Sequence, residues 1–201
     1  MQVRRVGEHG LLVECADQAE VSASYALLRS REALVEAVDI VPAARTVLLD
    51  GLSDPMATAE LISPWQATVD GSSGRPVLVE IPTVYDGADL GEVARQWGMT
   101  KAEVVSTHRD TVFEVAFCGF VPGFGYCTGL PADLGVTRRE EPRVAVPAGS
   151  VALAAEFTAV YPRESPGGWQ LIGRTSIGLW DPDAADPALL APGVQVRFVD
   201  A

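Results

Sequence analysis

Lysine is almost absent from this chain, because Lys101 is the only one among 15 basic residues. A phosphate-binding loop of the GxxxxGK[ST] type needs a lysine after its glycines, and the sequence contains no such loop. Lys101 does not lie between two methionines, where a biotin-carrying lysine is expected, so no biotin is predicted on this chain. The net charge of -12 argues against a nucleic-acid partner or an anionic membrane. Positive charge for an anionic substrate must therefore come from arginine, backbone amides or a metal ion.

Long apolar runs are also lacking, and no stretch of about 18 apolar residues predicts a membrane-spanning helix. Residues 1–10 lack the apolar core of a signal peptide, so a cytoplasmic location is expected. The three cysteines, Cys15, Cys118 and Cys127, cannot all pair within one chain and are predicted to be free thiols. With only two histidines and no cluster of metal-ligating residues, the sequence predicts no structural zinc site.

Residues 1–80 are predicted to form a small α/β domain. Apolar runs at residues 10–15 and 46–51 have the length of strands, and the segment between them has the apolar spacing of a helix. Asp17 is the predicted N-cap of this helix. A second helix is predicted to begin near Pro55, since proline is favoured in the first turn.

A small polar segment at residues 70–76 is predicted to be a linker, and residues 81–201 to form a second domain. Two short helices come first: Gly98 is predicted to end one, and Thr100 with Glu103 forms a capping box that begins the next. Short strands then alternate with glycine and proline turns, which is typical of a β-barrel or sandwich. The predicted strands of this domain lie within residues 77–82, 112–118, 143–157, 169–175, 177–181 and 194–200.

Three glycine-containing segments stand out within this predicted barrel. They are GFVPGFGYCTGLP at residues 119–131, VPAGSVALA at 146–154 and YPRESPGGWQLIGRT at 161–175. Glycine permits positive φ angles and the close approach of another molecule, so each segment is either a binding loop or a turn between strands. Because strands of one predicted barrel separate them, the loops are expected to converge at one rim, where small-molecule sites are often built.

Taken together, the three segments resemble the signature of the KipI/allophanate hydrolase subunit 1 family, whose members are often named as the B subunit of 5-oxoprolinase (PxpB). Residues 84–115 are similar to the central helical region of that family, with His108 at its recurrent histidine. Residues 189–199 are similar to its last strand. The resemblance covers residues 82–199 well, and residues 1–80 match more loosely.

The resemblance implies an α+β fold, in which a small α/β N-terminal domain precedes a cyclophilin-like β-barrel. It also implies membership of an ATP-dependent 5-oxoprolinase complex, which opens a cyclic amide. The implied partner is an allophanate hydrolase subunit 2 (PxpC) type of protein, and a LamB/YcsF (PxpA) type of protein is the implied third component. ATP with magnesium is the implied cofactor of the complex, bound either by this chain or by its partner.

The candidate site residues lie in or near the three segments. His108, Arg163 and Glu164 are the candidates for catalysis, since acid–base side chains and a positive charge suit amide chemistry. Arginine also suits bidentate contacts to a carboxylate or phosphate, and glycine amides and a serine hydroxyl add donors. The candidates for substrate binding are Phe120, Pro122, Gly123, Phe124, Tyr126, Arg143, Gly149, Ser150, Gly167, Gly168, Trp169, Gln170 and Arg174.

Each candidate also has a structural interpretation. His108 follows the polar run of a helix, so a hydrogen bond at the helix end or in the core is the alternative to catalysis. Arg163 and Glu164 can form an exposed ion pair of little energetic value. Residues 149–150 can simply begin a strand.

Two other functions remain compatible with these residues. One is carboxyl transfer to a small amide, as half of a biotin-dependent system similar to urea carboxylase. The other is a non-enzymatic, KipI-like inhibitor of a histidine kinase. Glu156 and Phe157 stand where the family usually has Asn-Gln, and the loss of that amide leaves the substrate open.

Overall fold

The computed structural model describes residues 2–67 and 77–201. The chain divides into two compact units, Met1–Gly74 and Arg75–Ala201, and each is described by itself. The predicted linker at residues 70–76 lies outside the described residues. Among the helices of the described ranges, none has both the length and the apolar character needed to cross a membrane.

The first unit is an antiparallel sheet of four strands, packed with helices. Its elements are β1 (Gln2–Val6), β2 (Gly10–Glu14), α1 (Gln18–Ser30), α2 (Glu32–Val35), β3 (Asp39–Pro42), β4 (Thr46–Asp50) and α3 (Pro55–Ile62). The strands are hydrogen-bonded in the order β1-β2-β4-β3. Alternate side chains of β2 and β4 point to one face of the sheet, as the two-residue period of a strand requires. They form the apolar core with one side of α1: Leu11, Val13, Val21, Leu28, Val47 and Leu49.

Capping side chains determine where the helices of the first unit begin. The Asp17 carboxylate accepts a hydrogen bond of 2.9 Å from the Glu20 amide. Asp54 accepts from two amides of the first turn of α3, and Pro55 is the first helical residue. The two predicted helices and strands β2 and β4 are therefore confirmed. The sequence did not predict β1, because its side chains are mostly exposed and its QVRRV segment lacks an apolar run.

The second unit is a nearly closed sheet of seven strands, with a two-stranded ribbon and two α-helices. Its strands are β5 (Leu78–Thr83), β6 (Phe113–Cys118), β7 (Gly125–Thr128), β8 (Arg143–Val146), β9 (Ser150–Ala154), β10 (Phe157–Val160), β11 (Ser165–Gly167), β12 (Gln170–Arg174) and β13 (Gln195–Asp200). The large sheet has the order β12-β9-β10-β7-β6-β13-β5, and β8 pairs with β11. The predicted α+β fold class, with a barrel in the C-terminal part, is confirmed. Strand β5 begins slightly before the boundary predicted at residue 80.

The segment after β5 closes the gap between the two edge strands of this barrel. Val84 and Arg174 exchange two backbone hydrogen bonds of 2.9 Å, and the Gly87 amide donates to the Ile172 carbonyl at 3.1 Å. A Cβ atom at Gly87 would overlap the backbone of Ile172, so this close approach requires glycine. The edge of β12 is thus paired, which removes an unpaired row of backbone groups.

Two helices cover one end of this core: α4 (Leu90–Trp97) and α5 (Lys101–Asp110). Gly98 ends α4 with a φ of 65°, and Thr100 and Glu103 form a reciprocal capping box at the start of α5. Both features were predicted and are confirmed. The core beneath the helices is apolar and includes Ile81, Val93, Val104, Phe113, Val151, Ile172, Val196 and Phe198.

The strand predicted at residues 177–181 is wrong. Only Trp180 makes a strand-type contact there, as an isolated bridge to Ala188. Leu179 is buried and Ile177 packs against the barrel core. The apolar residues at alternate positions of this segment therefore belong to a loop that covers the core. Such a loop can bury alternate side chains without joining a sheet.

Candidate functional site

The three glycine-containing segments meet around Tyr161, the first residue of the third segment. Phe124 from the first segment packs edge-on against the Tyr161 ring, with 5.3 Å between the ring centroids. The amide of Gly149, from the second segment, donates to the Tyr161 carbonyl oxygen at 2.7 Å. Tyr161 itself is buried. The structure therefore brings the three segments together, as the sequence predicts.

Seven aromatic side chains form a continuous cluster at this place, which we call the aromatic cluster. Trp169 lies edge-on to Phe124, with 5.5 Å between centroids, and 5.6 Å from Tyr126. Phe117 stacks on Tyr126 at 4.4 Å with an interplanar angle of 16°. Such edge-to-face and stacked pairs are the favourable aromatic geometries. The members of the cluster are Phe117, Phe120, Phe124, Tyr126, Phe157, Tyr161 and Trp169.

Part of the aromatic cluster faces solvent. Phe120 is 56% exposed, and Tyr126 and Phe157 are half-buried. Phe120 also has a φ of 67°, which is uncommon outside glycine and is found more often at functional sites. The exposed part of the cluster is therefore apolar.

Gly123 allows the loop that carries Phe120 to lie close to the third segment. Gly123 has a φ of 81°, and a Cβ atom there would approach Trp180 Cβ to 2.9 Å and Pro162 Cβ to 3.3 Å. Pro122 is exposed beside it. Gly123, one of the candidates for substrate binding, therefore shapes the loop through its backbone.

Gly149 and Ser150 form the turn into β9, and their amide donors are used within the fold. The Gly149 amide binds the Tyr161 carbonyl, and the Ser150 amide donates to Pro147 at 3.3 Å. Gly149 has a φ of 79°, and a Cβ atom there would overlap the Thr175 carbonyl oxygen. The role predicted for these amides in anion binding stays a prediction.

The turn after Tyr161 exposes two candidate catalytic side chains. Arg163 and Glu164 are both exposed, and among the described residues neither forms an ion pair. The next residues form β11 and pair with β8. A Cβ atom at Gly167 would overlap the Tyr161 hydroxyl, so the turn lies directly on that ring. Arg163 and Glu164 therefore lie two and three residues along the chain from the buried Tyr161, a member of the aromatic cluster.

Asp89 is a buried carboxylate that the sequence analysis did not single out. Its Oδ1 accepts from Arg143 at 2.8 Å and from Arg139 at 3.2 Å, and its Oδ2 accepts from the Leu171 amide at 2.7 Å. The backbone amide of Asp89 also donates to the Leu171 carbonyl at 2.8 Å. Asp89 thus continues the pairing along β12 and fixes the candidate residue Arg143.

A cavity of about 620 Å³ lies beside Asp89. Its walls are polar and come from α4, from residues 137–141 and from Gln170. Two glutamines hold the Thr137 peptide here: Gln96 Oε1 accepts from its amide at 2.8 Å, and Gln170 Nε2 donates to its carbonyl at 2.9 Å. The Oε1 atom of the buried Gln170 has no hydrogen-bond partner among the described residues.

Arg138 joins this cavity to the aromatic cluster. Its guanidinium carbon lies 5.8 Å from the centroid of the Trp169 ring, within cation–π range. Burial raises the pKa of the Tyr126 and Tyr161 hydroxyls, and the positive charge of Arg138 acts on both in the opposite direction. Arg138 was not predicted as a site residue, although it lies only five residues before Arg143.

His108 lies in the core of the second unit and not with Arg163 and Glu164. Its Nδ1 is 2.9 Å from the Tyr85 hydroxyl, and its Nε2 is 2.9 Å from the Thr158 hydroxyl. Burial lowers the pKa of His108 to about 3, so the ring is neutral near neutral pH. The geometry gives His108 the structural role of joining α5 to β10, and its catalytic role stays a prediction.

Arg174, another candidate, lies on the exposed side of β12. Its Nε donates to Asp86 at 2.9 Å, and both side chains are at least half exposed. The three thiols are also poor candidates for a nucleophile, because burial raises the pKa of each. Across residues 2–67 and 77–201, no group of three or more His, Cys, Asp or Glu side chains could hold a metal ion.

Comparison with known proteins places the chain in a recognised group. The family model of the carboxyltransferase domain, subdomain C and D, matches residues 1–190. The B subunit of 5-oxoprolinase from Escherichia coli O157:H7 is 37% identical over 203 residues, covering 96% of this chain and 93% of that protein.

Two solved structures have a fold similar to that of this chain. The crystal structure of TTHA0988 has a TM-score of 0.76 and 33% identity; the match covers this whole chain and 40% of that longer chain. The urea amidolyase of K. lactis has a TM-score of 0.78 over 99% of this chain and 15% of its own length. At 18% identity, the second likeness concerns the fold alone.

Proposed function

Because the chain belongs to the family of the carboxyltransferase domain, subdomain C and D, we propose that it is the PxpB-type component of a 5-oxoprolinase complex. Such a complex opens the lactam ring of 5-oxoproline at the expense of ATP. The proposed partners are a protein of the allophanate hydrolase subunit 2 (PxpC) type and a third component of the LamB/YcsF (PxpA) type. The similarity to the E. coli protein supports this proposal over nearly the full length of both chains.

The convergence of the three segments at the aromatic cluster is the observation that carries the proposal. The segments are far apart in the sequence, yet Phe124, Gly149 and Trp169 all lie in contact with or beside Tyr161. A 5-oxoproline molecule has a small flat ring, an amide and a carboxylate. Exposed aromatic faces suit such a ring, and nearby arginines suit its carboxylate.

The described residues supply neither a preformed cluster of metal ligands nor a lysine-containing phosphate loop. They contain no candidate group of metal ligands, and the one lysine of the chain, Lys101, lies at the start of α5 with its side chain near Gly91. We propose that the nucleotide binds another member of the complex. ATP supplies the phosphoryl group that activates the amide oxygen, and this chain handles the lactam.

Arg163 and Glu164 are the proposed catalytic residues of this chain. Both are exposed at the rim of the aromatic cluster, where a partner protein would complete the site. Glu164 would take a proton from the water that adds to the activated carbonyl carbon, and Arg163 would stabilise the negative charge that develops there. The carbon–nitrogen bond of the ring would then break, and protonated Glu164 would return its proton to the departing nitrogen so that it leaves as an amine. Hydrolysis of the remaining acyl phosphate would release the carboxylate and inorganic phosphate.

The test is to produce the chain together with the two partner types and to measure ATP hydrolysis that depends on 5-oxoproline. We expect stimulation that disappears when this chain is omitted. Glu164→Gln should lower the rate about 100-fold or more, since a general base typically contributes that much. Glu114→Gln is a matched control, because Glu114 is exposed on β6.

Three results would count against the proposal. The first is the absence of any 5-oxoproline-dependent ATP hydrolysis by the assembled complex. The second is activity that requires a biotinylated protein and bicarbonate, which would favour a system similar to urea carboxylase. The third is binding to a histidine kinase without turnover, which would favour a KipI-like inhibitor.

A further inference from the structure

We infer that Arg138, held over the ring of Trp169, binds the carboxylate of a small cyclic acid at the edge of the aromatic cluster. The identity of that acid as 5-oxoproline rests on the proposed function. The inference itself rests on the geometry of the arginine and its neighbours, and it assigns a ligand group to a residue outside the three glycine-containing segments.

Arg138, like the exposed Arg163, has no carboxylate partner among the described residues, whereas three neighbouring arginines do. Arg139 and Arg143 share the buried carboxylate of Asp89, and Arg95 pairs with Glu92 on the surface of α4. Among the described residues, no carboxylate lies within ion-pair distance of the Arg138 guanidinium. A guanidinium without a carboxylate partner beside a cavity is suited to bind an anionic ligand.

The backbone on both sides of Arg138 is held in place. Gln96 and Gln170 fix the Thr137 peptide from opposite sides. The Arg139 amide donates to the Gly168 carbonyl at 2.8 Å, and its side chain is bound to Asp89. The backbone that carries the exposed Arg138 side chain is therefore fixed, which reduces the entropy that ordering this segment would cost on binding.

Other hydrogen-bond donors lie close to the same place. The Tyr126 ring is 5.6 Å from the Trp169 ring, and the charge of Arg138 acts on the Tyr126 hydroxyl. Arg143 Nη1 is buried and has no hydrogen-bond partner among the described residues. A carboxylate has two oxygens, so it can accept from both nitrogens of the Arg138 fork.

The surroundings favour a single small anion over a polyanion. Glu140 and Glu141 line the same cavity, and the chain has a net charge of -12. A nucleic acid or a polyphosphate would bring many negative charges to these carboxylates, whereas a small acid brings only one. The half-buried Tyr126 and Phe157 rings then offer an apolar face to the ring of the acid.

The test compares an acid with its neutral amide on the purified full chain. Titration calorimetry would measure binding of 5-oxoproline and of 5-oxoprolinamide, which lacks only the negative charge. Wild type should bind the acid more tightly than the amide. Arg138→Gln should weaken binding of the acid about 10- to 100-fold, the value of a hydrogen bond to a charged group, and leave the amide almost unchanged.

Two further variants make the result specific. Arg138→Lys keeps the charge but loses the planar fork, so it should retain part of the preference for the acid. Arg197→Gln removes an exposed arginine from β13 and should bind both compounds as wild type does. Circular dichroism of each variant checks that the fold is retained.

The inference is overturned if wild type does not bind the acid, if the acid and the amide bind equally, or if Arg138→Gln weakens both to the same degree. The proposed function fails separately, in the ATP hydrolysis assay. Selective binding of the acid by the chain, without 5-oxoproline-dependent turnover by the complex, would uphold the inference and overturn the function.

Discussion

Replacement of Asp89 by asparagine tests how the second unit is held together. The Asp89 side chain is only 7% exposed, and it binds Arg143 at 2.8 Å, Arg139 at 3.2 Å and the Leu171 amide at 2.7 Å. Asparagine has nearly the same size, and its oxygen can still accept from Leu171. It removes the negative charge, however, so both guanidiniums lose their ion-pair partner.

The expected loss of stability follows from how deeply these arginines are buried. Removal of one partner from a buried ion pair costs about 3–5 kcal/mol, because the other charge stays buried without compensation. The Arg143 side chain is 21% exposed and that of Arg139 is 36% exposed, so water offsets part of the loss. We therefore expect Asp89→Asn to lower the free energy of unfolding by about 3 kcal/mol, at the lower end of that range.

Hydrogen exchange of the amides in β9 and β12 in increasing urea is a suitable assay, because both strands belong to the second unit. Asp86→Asn is the matched control, since Asp86 also pairs with an arginine of β12. That pair is exposed, so its loss should cost less than about 1 kcal/mol. Equal effects of the two replacements would show that the Asp89 cluster does not stabilise the unit in this way.

Two more predictions concern stability. The pKa of His108 is lowered to about 3 from an ordinary value of about 6.5. Because the unfolded chain therefore takes up the proton first, the free energy of unfolding should decrease as the pH falls below about 6.5. The expected decrease between pH 7 and pH 5 is about 2 kcal/mol. His108→Gln should lack this loss in the same exchange assay, and an equal loss would contradict the assignment. Gly149→Ala should destabilise the unit by about 3 kcal/mol, since it combines a φ of 79° with overlap of the Thr175 carbonyl. Gly178→Ala, where the added methyl meets no atom within 4 Å, is its control in thermal unfolding and should be nearly neutral.

Local signals in the sequence predicted much of the fold. The Asp17 cap, Pro55 in the first turn of α3, Gly98 and the Thr100–Glu103 box act within a few residues of the chain, so the sequence alone reveals them. The apolar run at residues 177–181 misled, because burial of alternate side chains does not require a strand.

The polar part of the site could not be predicted in the same way. The Asp89 carboxylate and the Leu171 amide are 82 positions apart, and Asp89 and Arg143 are 54 apart. No local pattern marks a carboxylate that ends up beneath two arginines. Arg138 was not singled out for a related reason: Trp169, the ring that its guanidinium faces, is 31 positions away in the sequence.

The glycines that carry the resemblance shape the scaffold, whatever part they take in binding a ligand. Side chains at Gly149 and Gly167 would overlap the Thr175 carbonyl and the Tyr161 hydroxyl, and the Gly149 amide is already bound within the fold. We therefore expect side chains around Tyr161 to supply contacts to a ligand that the engaged Gly149 amide cannot. A relative that keeps these glycines but lacks the Arg138 guanidinium should therefore keep the rim and lose the preference for an acid over its amide.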